Sequence, residues 1–209
     1  MENSKTENRK IILASASPRR AEIFSKHGAS FEVLPSGADE TIPIPLTPKQ
    51  TVMYLSLLKA RDVYEKHFLD LAPGSTEAEG NNDILIVASD TIVEKDGEIL
   101  GKPADKQEAY DMIKKLSGTS HRVLTGVCVL CPTEDGVITK CGCDISTVFF
   151  RDVPEDELLT YINTPEPYDK AGAYAIQETF SKYTERYTGD IETIIGFPYA
   201  LLERMLEKI

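Results

Sequence analysis

Apolar and polar positions along this chain switch between a period near two and a period near 3.6, and the switches mark its elements. Ile11-Ile12-Leu13-Ala14 is a short apolar run that reads as a buried strand. Ser17 as N-cap, Pro18 as the first helical residue and Gly28 as the stop predict a helix from Pro18 to about Lys26. Phe31 to Leu34 is a second strand. Thr47-Pro48-Lys49-Gln50 opens another helix with a capping box, and Met53, Tyr54, Leu57, Leu58, Ala60, Val63, Tyr64 and Phe68 supply its apolar face. Leu71 to Asp83 is polar and reads as a surface insertion. Ile84 to Ala88 is the most apolar strand, central and covered on both faces, with Ser89-Asp90-Thr91 at its carboxyl end.

A hairpin through Asp96-Gly97 follows, joining Ile92–Glu94 to Glu98–Leu100. Asp105 caps a further helix, with Glu108 at N3 and Gly118 as the stop. Two long β segments, His121 to Leu130 and Val137 to Phe150, and helices over about 154–162 and 199–208 complete the chain. Helices interspersed with strands, together with hairpins, predict an α/β fold with a mixed sheet, built as a single domain over residues 1–209.

Composition narrows the function. With 41% hydrophobic and 27% charged residues the chain is ordinary globular material, and a net charge of −11 excludes a broad nucleic-acid or anionic-membrane surface. No apolar run approaches the roughly 20 residues of a membrane span, and Met1 to Lys10 is polar rather than signal-like, so a cytoplasmic protein is expected. The four cysteines form C-x-x-C at Cys128 and Cys131 and C-x-C at Cys141 and Cys143. That resembles half a zinc ribbon. Cys128 and Cys131, at odd spacing on a strand, would face opposite ways, and a turn over Pro132–Gly136 would bring Cys131 near Cys141 or Cys143. Buried or reduced thiols are the state expected of a cytosolic chain.

The candidate chemistry starts at the first predicted helix. Arg19 and Arg20 occupy its first turn, where the helix dipole disfavours cations. Free backbone N–H groups and the hydroxyls of Ser15 and Ser17 lie at the same place, which suits a polyanion. Solvent, or a pairing with Glu22, is the plainer explanation. Asp90, after the central strand, is placed to hold a hard cation or to act as a base on water; a turn-capping aspartate is the alternative. Glu40 gains interest only if it meets Asp90 around a metal. Lys59 lies within an apolar helix face and Lys102 on a Gly-Lys-Pro kink. Lys170 enters a run of small residues, Ala171 to Ala175, that leads to Gln177 and permits close backbone approach or a tightly packed strand. Lys59 and Lys170, with the two serines and Arg20, are the substrate-binding candidates. His27, His67 and His121 accompany no nucleophile in a recognisable arrangement, and His121 is expected to hydrogen-bond structurally from a strand.

Taken in chain order, several stretches resemble the Maf family of nucleotide pyrophosphatases. They are Ser15-Ala16-Ser17-Pro18-Arg19-Arg20, Asp39-Glu40, Lys59-Ala60, Ser89-Asp90-Thr91, Gly101-Lys102-Pro103, Ser117-Gly118 with His121, Asp169 to Gln177, and Gly189-Asp190 with Gly196-Phe197-Pro198. The resemblance implies hydrolysis of a nucleoside triphosphate between its α and β phosphates, giving a monophosphate and pyrophosphate, with Mg²⁺ or Mn²⁺ as cofactor. It implies an elongated mixed sheet flanked by helices with a cleft between two lobes (a Maf/ITPase-like fold) and a homodimer. It makes Asp90 the proton acceptor, Glu40 a carboxylate for metal and catalysis, and Arg20, Lys59 and Lys102 the phosphate wall.

Arg19, Thr91 and Gln177 match the branch acting on dTTP and UTP rather than the one acting on 7-methyl-GTP; a glutamine amide both donates to and accepts from a uracil or thymine edge. The chain departs from the family at Ala175 and Glu178, where glycine is usual, and at Ser89, where alanine is more common. A nucleotide-binding regulatory module without turnover is the competing function; two carboxylates among the cations argue against it, since an anion binder gains little from them.

Overall fold

The computed structural model describes residues 9–69, 84–133 and 135–207; the predicted insertion over Leu71 to Asp83 lies outside the described residues. Strands β1 (Lys10–Leu13), β2 (Phe31–Val33), β3 (Ile84–Lys95), β4 (Glu98–Leu100), β5 (Ser120–Thr133), β6 (Gly136–Phe150) and β7 (Thr184–Thr188) form, among the described residues, a seven-stranded sheet in the order β2-β1-β3-β5-β6-β7, with β4 on β3. β1 pairs parallel with β2 and β3, whereas β4 on β3 and β7 on β6 are antiparallel, so the sheet is mixed as expected. The helices are α1 (Pro18–Lys26), α2 (Pro48–His67), α3 (Lys106–Leu116), α4 (Glu155–Tyr161), α5 (Ile191–Ile195) and α6 (Tyr199–Leu206). No helix among the described residues is long and apolar enough to cross a membrane.

The chain divides into two compact units. One comprises the described parts of Met1–Asp90, Gly126–Cys143 and Gly196–Ile209, the other Thr91–Thr125 and Asp144–Ile195. Ile12, Ala60, Val63, Ile86, Cys128 and Leu130 are core residues of the first, where α2 covers β1, β3 and β5. Val93, Met112, Ile113, Val148, Phe150 and Phe180 belong to the core of the second.

Three details refine the expectations. β3 does not end at Ala88 but runs on to Lys95, so Ser89, Asp90 and Thr91 lie inside a strand. Its parallel pairing with β1 ends at Leu13↔Val87, and its antiparallel pairing with β4 begins at Val93↔Leu100. Asp90 therefore lies beyond the carboxyl end of β1 and of the parallel part of β3, which is where open α/β sheets place ligands. The run Asp169 to Gln177, for which a packed strand is the alternative reading, follows a 3-10 turn at Glu166–Asp169 and forms another at Ala171–Ala173, with Gly172 and Ala173 both at positive φ (66° and 63°). On α2 the buried face is Thr51, Val52, Leu55, Ser56, Ala60 and Val63, so Met53 and Tyr54 fall beside it, not on it.

That face explains one glycine. A Cβ at Gly126 on β5 would lie 2.3 Å from the Val52 carbonyl oxygen and 2.8 Å from the Met53 nitrogen, so α2 rests its backbone directly on the strand. Backbone atoms cannot swing aside as a side-chain end can. Gly126→Ala is expected to cost ~3 kcal/mol, at the upper end for overpacking. A thermal melt should show this as a fall of roughly 10 °C for a chain of this size; a shift of one or two degrees would mean that α2 is free to move.

The cysteines also pair differently. Cys128 and Cys141 sulfurs lie 3.1 Å apart, while Cys131 accepts from Arg9 Nη1 at 3.2 Å. The β5–β6 connection is tighter than expected: Thr133 Oγ1 donates to the Gly136 carbonyl, and equal steps back from Thr133 and forward from Gly136 reach Cys128 and Cys141. Contact with Cys141, then burial, pushes the Cys128 thiol up. The sulfurs of the C-x-x-C pair thus take different partners. Among the described residues no three His, Cys, Asp or Glu side chains gather as a metal cage would require.

Candidate active site

Within the first unit the predicted residues converge. Lys59, on α2 next to the buried Ala60, brings its Nζ to 2.5 Å from Asp90 Oδ1 and 3.2 Å from Glu40 Oε1. Its side chain is 15% exposed and that of Asp90 10%, so this is a sheltered pair and not a snorkelling surface lysine. Glu40 is delivered by a loop whose start is tied to α2 and which is braced by a local turn. Asp62, one turn beyond Lys59, accepts from Ser36 Oγ at 3.0 Å and Gly37 N at 2.8 Å. Asp39 closes an Asx-turn by accepting from Thr41 N and Oγ1. These bonds hold the Asp39 carboxyl below its ordinary value; burial would raise that of Asp62, but donors from Lys66, Gly37 and Ser36 outweigh it.

Arg20 is turned inward and bonded to the protein. Its Nε donates to the Gly196 carbonyl at 3.0 Å and its Nη1 to Ser15 Oγ at 3.2 Å. Burial pushes its guanidinium below the ordinary value, Asp90 and Glu40 act against that shift, and neighbouring Arg19 adds to it. It remains charged at any working pH. Ser17 stands at the N-cap of α1 with extended backbone, but its side chain makes no cap bond. Ser15 supplies the local bond instead, its Oγ accepting from Ser17 N at 3.2 Å. Ser17 thus takes the expected N-cap position without the side-chain bond that usually accompanies it.

Gly196, in the Gly196-Phe197-Pro198 motif, contributes through its main chain. Its carbonyl accepts from both Arg20 Nε and Ser89 Oγ, the latter at 3.1 Å, joining α1 to β3 beside Asp90. A φ of 125° turns that carbonyl, a conformation glycine adopts without strain. Ser89, where alanine is more common in the family, thus has a partner that alanine could not bond.

The carboxylate pair suits a hard divalent ion. Magnesium is commonly held by one or two carboxylates with the remaining ligands from substrate phosphates and water, and not by an all-protein cage. Two carboxylates that already converge on one ammonium fit that description.

A family model described as Maf-like protein matches residues 10–209. The chain belongs to the Maf-like family. Similar proteins named dTTP/UTP pyrophosphatase include those of Caldicellulosiruptor bescii, 39% identical over 96% of this chain and 95% of that one, and Thermococcus kodakarensis, 39% identical over 94% and 95%. The Bacillus anthracis protein of that name is 38% identical over 96% and 95%. The Maf-like resemblance read from the scattered motifs therefore holds along nearly the whole chain.

Of the remaining predicted residues, Arg19 lies in the first turn of α1 in the first unit, and Thr91, Lys102, Lys170 and Gln177 belong to the second. Thr91 Oγ1 shares a 2.9 Å hydrogen bond with Thr125 Oγ1, which donates on to the Thr193 carbonyl. Lys102 is exposed on its kink, and the Gly101 carbonyl before it accepts from Gly172 N at 2.9 Å, so the kink is stitched to the segment carrying Lys170. Gln177 is exposed on a turn. Lys170, only 6% exposed, is engaged by Glu166, Asp169 and Glu178. His121 lies in β5 with Nε2 at 2.5 Å from Tyr174 Oη, and burial, then Lys95, pushes it down to about 3, so it stays neutral and structural.

Proposed function

We propose that this protein is a nucleoside triphosphate pyrophosphatase that converts dTTP and UTP to their monophosphates and pyrophosphate. The observation that carries the reading is Lys59 bridging Asp90 and Glu40 beside Arg20. It occurs in a chain whose relatives bear that activity in their names.

Asp90 Oδ1 is held by Lys59, which leaves Oδ2 to take the proton from the attacking water. Shelter from solvent keeps this base fixed in orientation. Arg20, anchored through Nε and Nη1, and Lys59 present positive charge to the departing pyrophosphate. A divalent cation bound by Glu40, Asp90 and phosphate oxygens would offset substrate charge and polarise the α phosphate. Ser15 and Ser17 complete the turn before α1, and Lys102 is a further phosphate candidate. Arg19, Thr91 and Gln177 are the base-selecting groups on the family resemblance. The same proposal takes the protein to be a cytoplasmic homodimer, with the free state of its four cysteines in keeping with a reducing compartment.

A panel of dTTP, UTP, CTP and purine triphosphates with Mg²⁺ tests this. The expected products are pyrophosphate and monophosphate without orthophosphate, with dTTP and UTP preferred by about tenfold or more. Tight nucleotide binding with no product would establish the regulatory binding module instead.

A further inference from the structure

Lys170 is a buried cation with every ammonium donor committed. Nζ lies 2.6 Å from the Glu166 carbonyl, 2.7 Å from Asp169 Oδ1 and 3.0 Å from Glu178 Oε2. An ammonium has three donors, so these acceptors use them all. The surroundings are acidic: Tyr161 nearby, bonded to the Ala173 carbonyl, has its phenol held up first by burial and then by Glu166 and Glu178. A cation saturated by two carboxylates and a carbonyl has little left to offer a phosphate.

What it does hold is a turn. Glu178 follows Gln177 directly, and Glu178 N also reaches back to the Ala175 carbonyl at 3.4 Å. One residue on, Thr179 is held by the carboxylate of Glu166, through its N at 3.2 Å and its Oγ1 at 2.6 Å. Glu166 is the residue whose carbonyl Lys170 holds. The exposed Gln177 is therefore followed by two anchored residues that lead back to one ammonium.

We propose that Lys170 and Glu178 form a positioning clamp for Gln177, so that Lys170 serves base selection and not phosphate binding. The inference rests on the pyrimidine-nucleotide reading above and on Gln177 meeting the base. It accounts for the departure at position 178: the added carboxylate is neutralised by Lys170 and orders the turn that carries the amide, where a glycine would leave it looser.

Glu178→Gln keeps the shape and removes the charge. The clamp predicts kcat/KM for dTTP and UTP lowered about threefold to tenfold, mostly in KM, as expected for one partly sheltered ion pair. The other triphosphates should change little, so discrimination narrows, and amide hydrogen exchange over residues 176–180 should quicken without nucleotide. Lys170→Met should move all these readouts the same way; should it fail to fold, Glu178→Gln at its half-exposed position still decides the matter. A phosphate-binding Lys170 predicts the opposite sign: Glu178→Gln would free the ammonium and raise kcat/KM evenly for every nucleotide, overturning the clamp. Faster exchange with unchanged discrimination would also overturn the positioning role. If the wild type turns over no nucleotide, the activity reading has failed, and unchanged exchange in Glu178→Gln would separately dispose of the clamp.

Discussion

Asp90→Asn is expected to lower kcat for dTTP by about 10³-fold or more while leaving the fold in place, within the range that a positioned general base contributes. The amide has the size of the carboxylate, and its oxygen can still accept from Lys59 Nζ, which approaches Oδ1 at 2.5 Å in the native protein. Nor does the substitution strand the lysine, because Glu40 Oε1 stays within 3.2 Å. The melting temperature should thus move little, in contrast to Gly126→Ala. What disappears is the second oxygen's capacity to receive a proton. Steady-state kinetics with a pyrophosphate readout, together with nucleotide affinity from calorimetry, separate the effects: binding retained and turnover lost is the expected pair. A variant within tenfold of native kcat would remove Asp90 from the role of base and shift attention to Glu40, which is more exposed.

The elements that were legible in the chain are those whose causes are local. The capping box of α2 forms as read, with Thr47 and Gln50 exchanging bonds, and Asp105 caps α3 by accepting from Glu108 N. The Asp96-Gly97 turn adopts the paired positive φ values, 53° and 86°, that such a dipeptide favours. Two details differ from the local pattern. β3 continues past Asp90 to Lys95, beyond its pairing with β1, and Ser17 occupies the N-cap of α1 without a side-chain cap bond.

The site shows the same division. Each of Glu40, Lys59 and Asp90 has an unremarkable local explanation, and only their order along a family-like chain joined them beforehand. The physical link is Lys59, which draws together a loop, a helix and a strand. Gly196 was invisible as a site residue for a related reason: what matters is a main-chain carbonyl, whose direction no side chain announces. Lys170 illustrates the reverse. Its type and place in a motif suggested an anion ligand, while its surroundings are three carboxylate-bearing residues.

Lys59→Met should lower kcat/KM for dTTP about 10²-fold to 10³-fold, comparable with removal of one preorganised charge from a transition-state site. Two losses combine. The leaving pyrophosphate loses a cation, and Asp90 loses the partner that orients Oδ1. Lys59→Arg should recover little, because a planar fork cannot take the place of a compact ammonium between two carboxylates approached at 2.5 and 3.2 Å. The variant also offers a readout independent of turnover. Without the ammonium, Glu40 and Asp90 are left converging with less positive charge between them, so Mn²⁺ alone should raise the melting temperature of Lys59→Met more than that of the native protein. Adding Glu40→Gln should cancel that extra stabilisation while leaving turnover low. An equal Mn²⁺ response in the native protein and Lys59→Met would mean that the two carboxylates do not form the cation site, and the metal assignment to Glu40 and Asp90 would have to be abandoned.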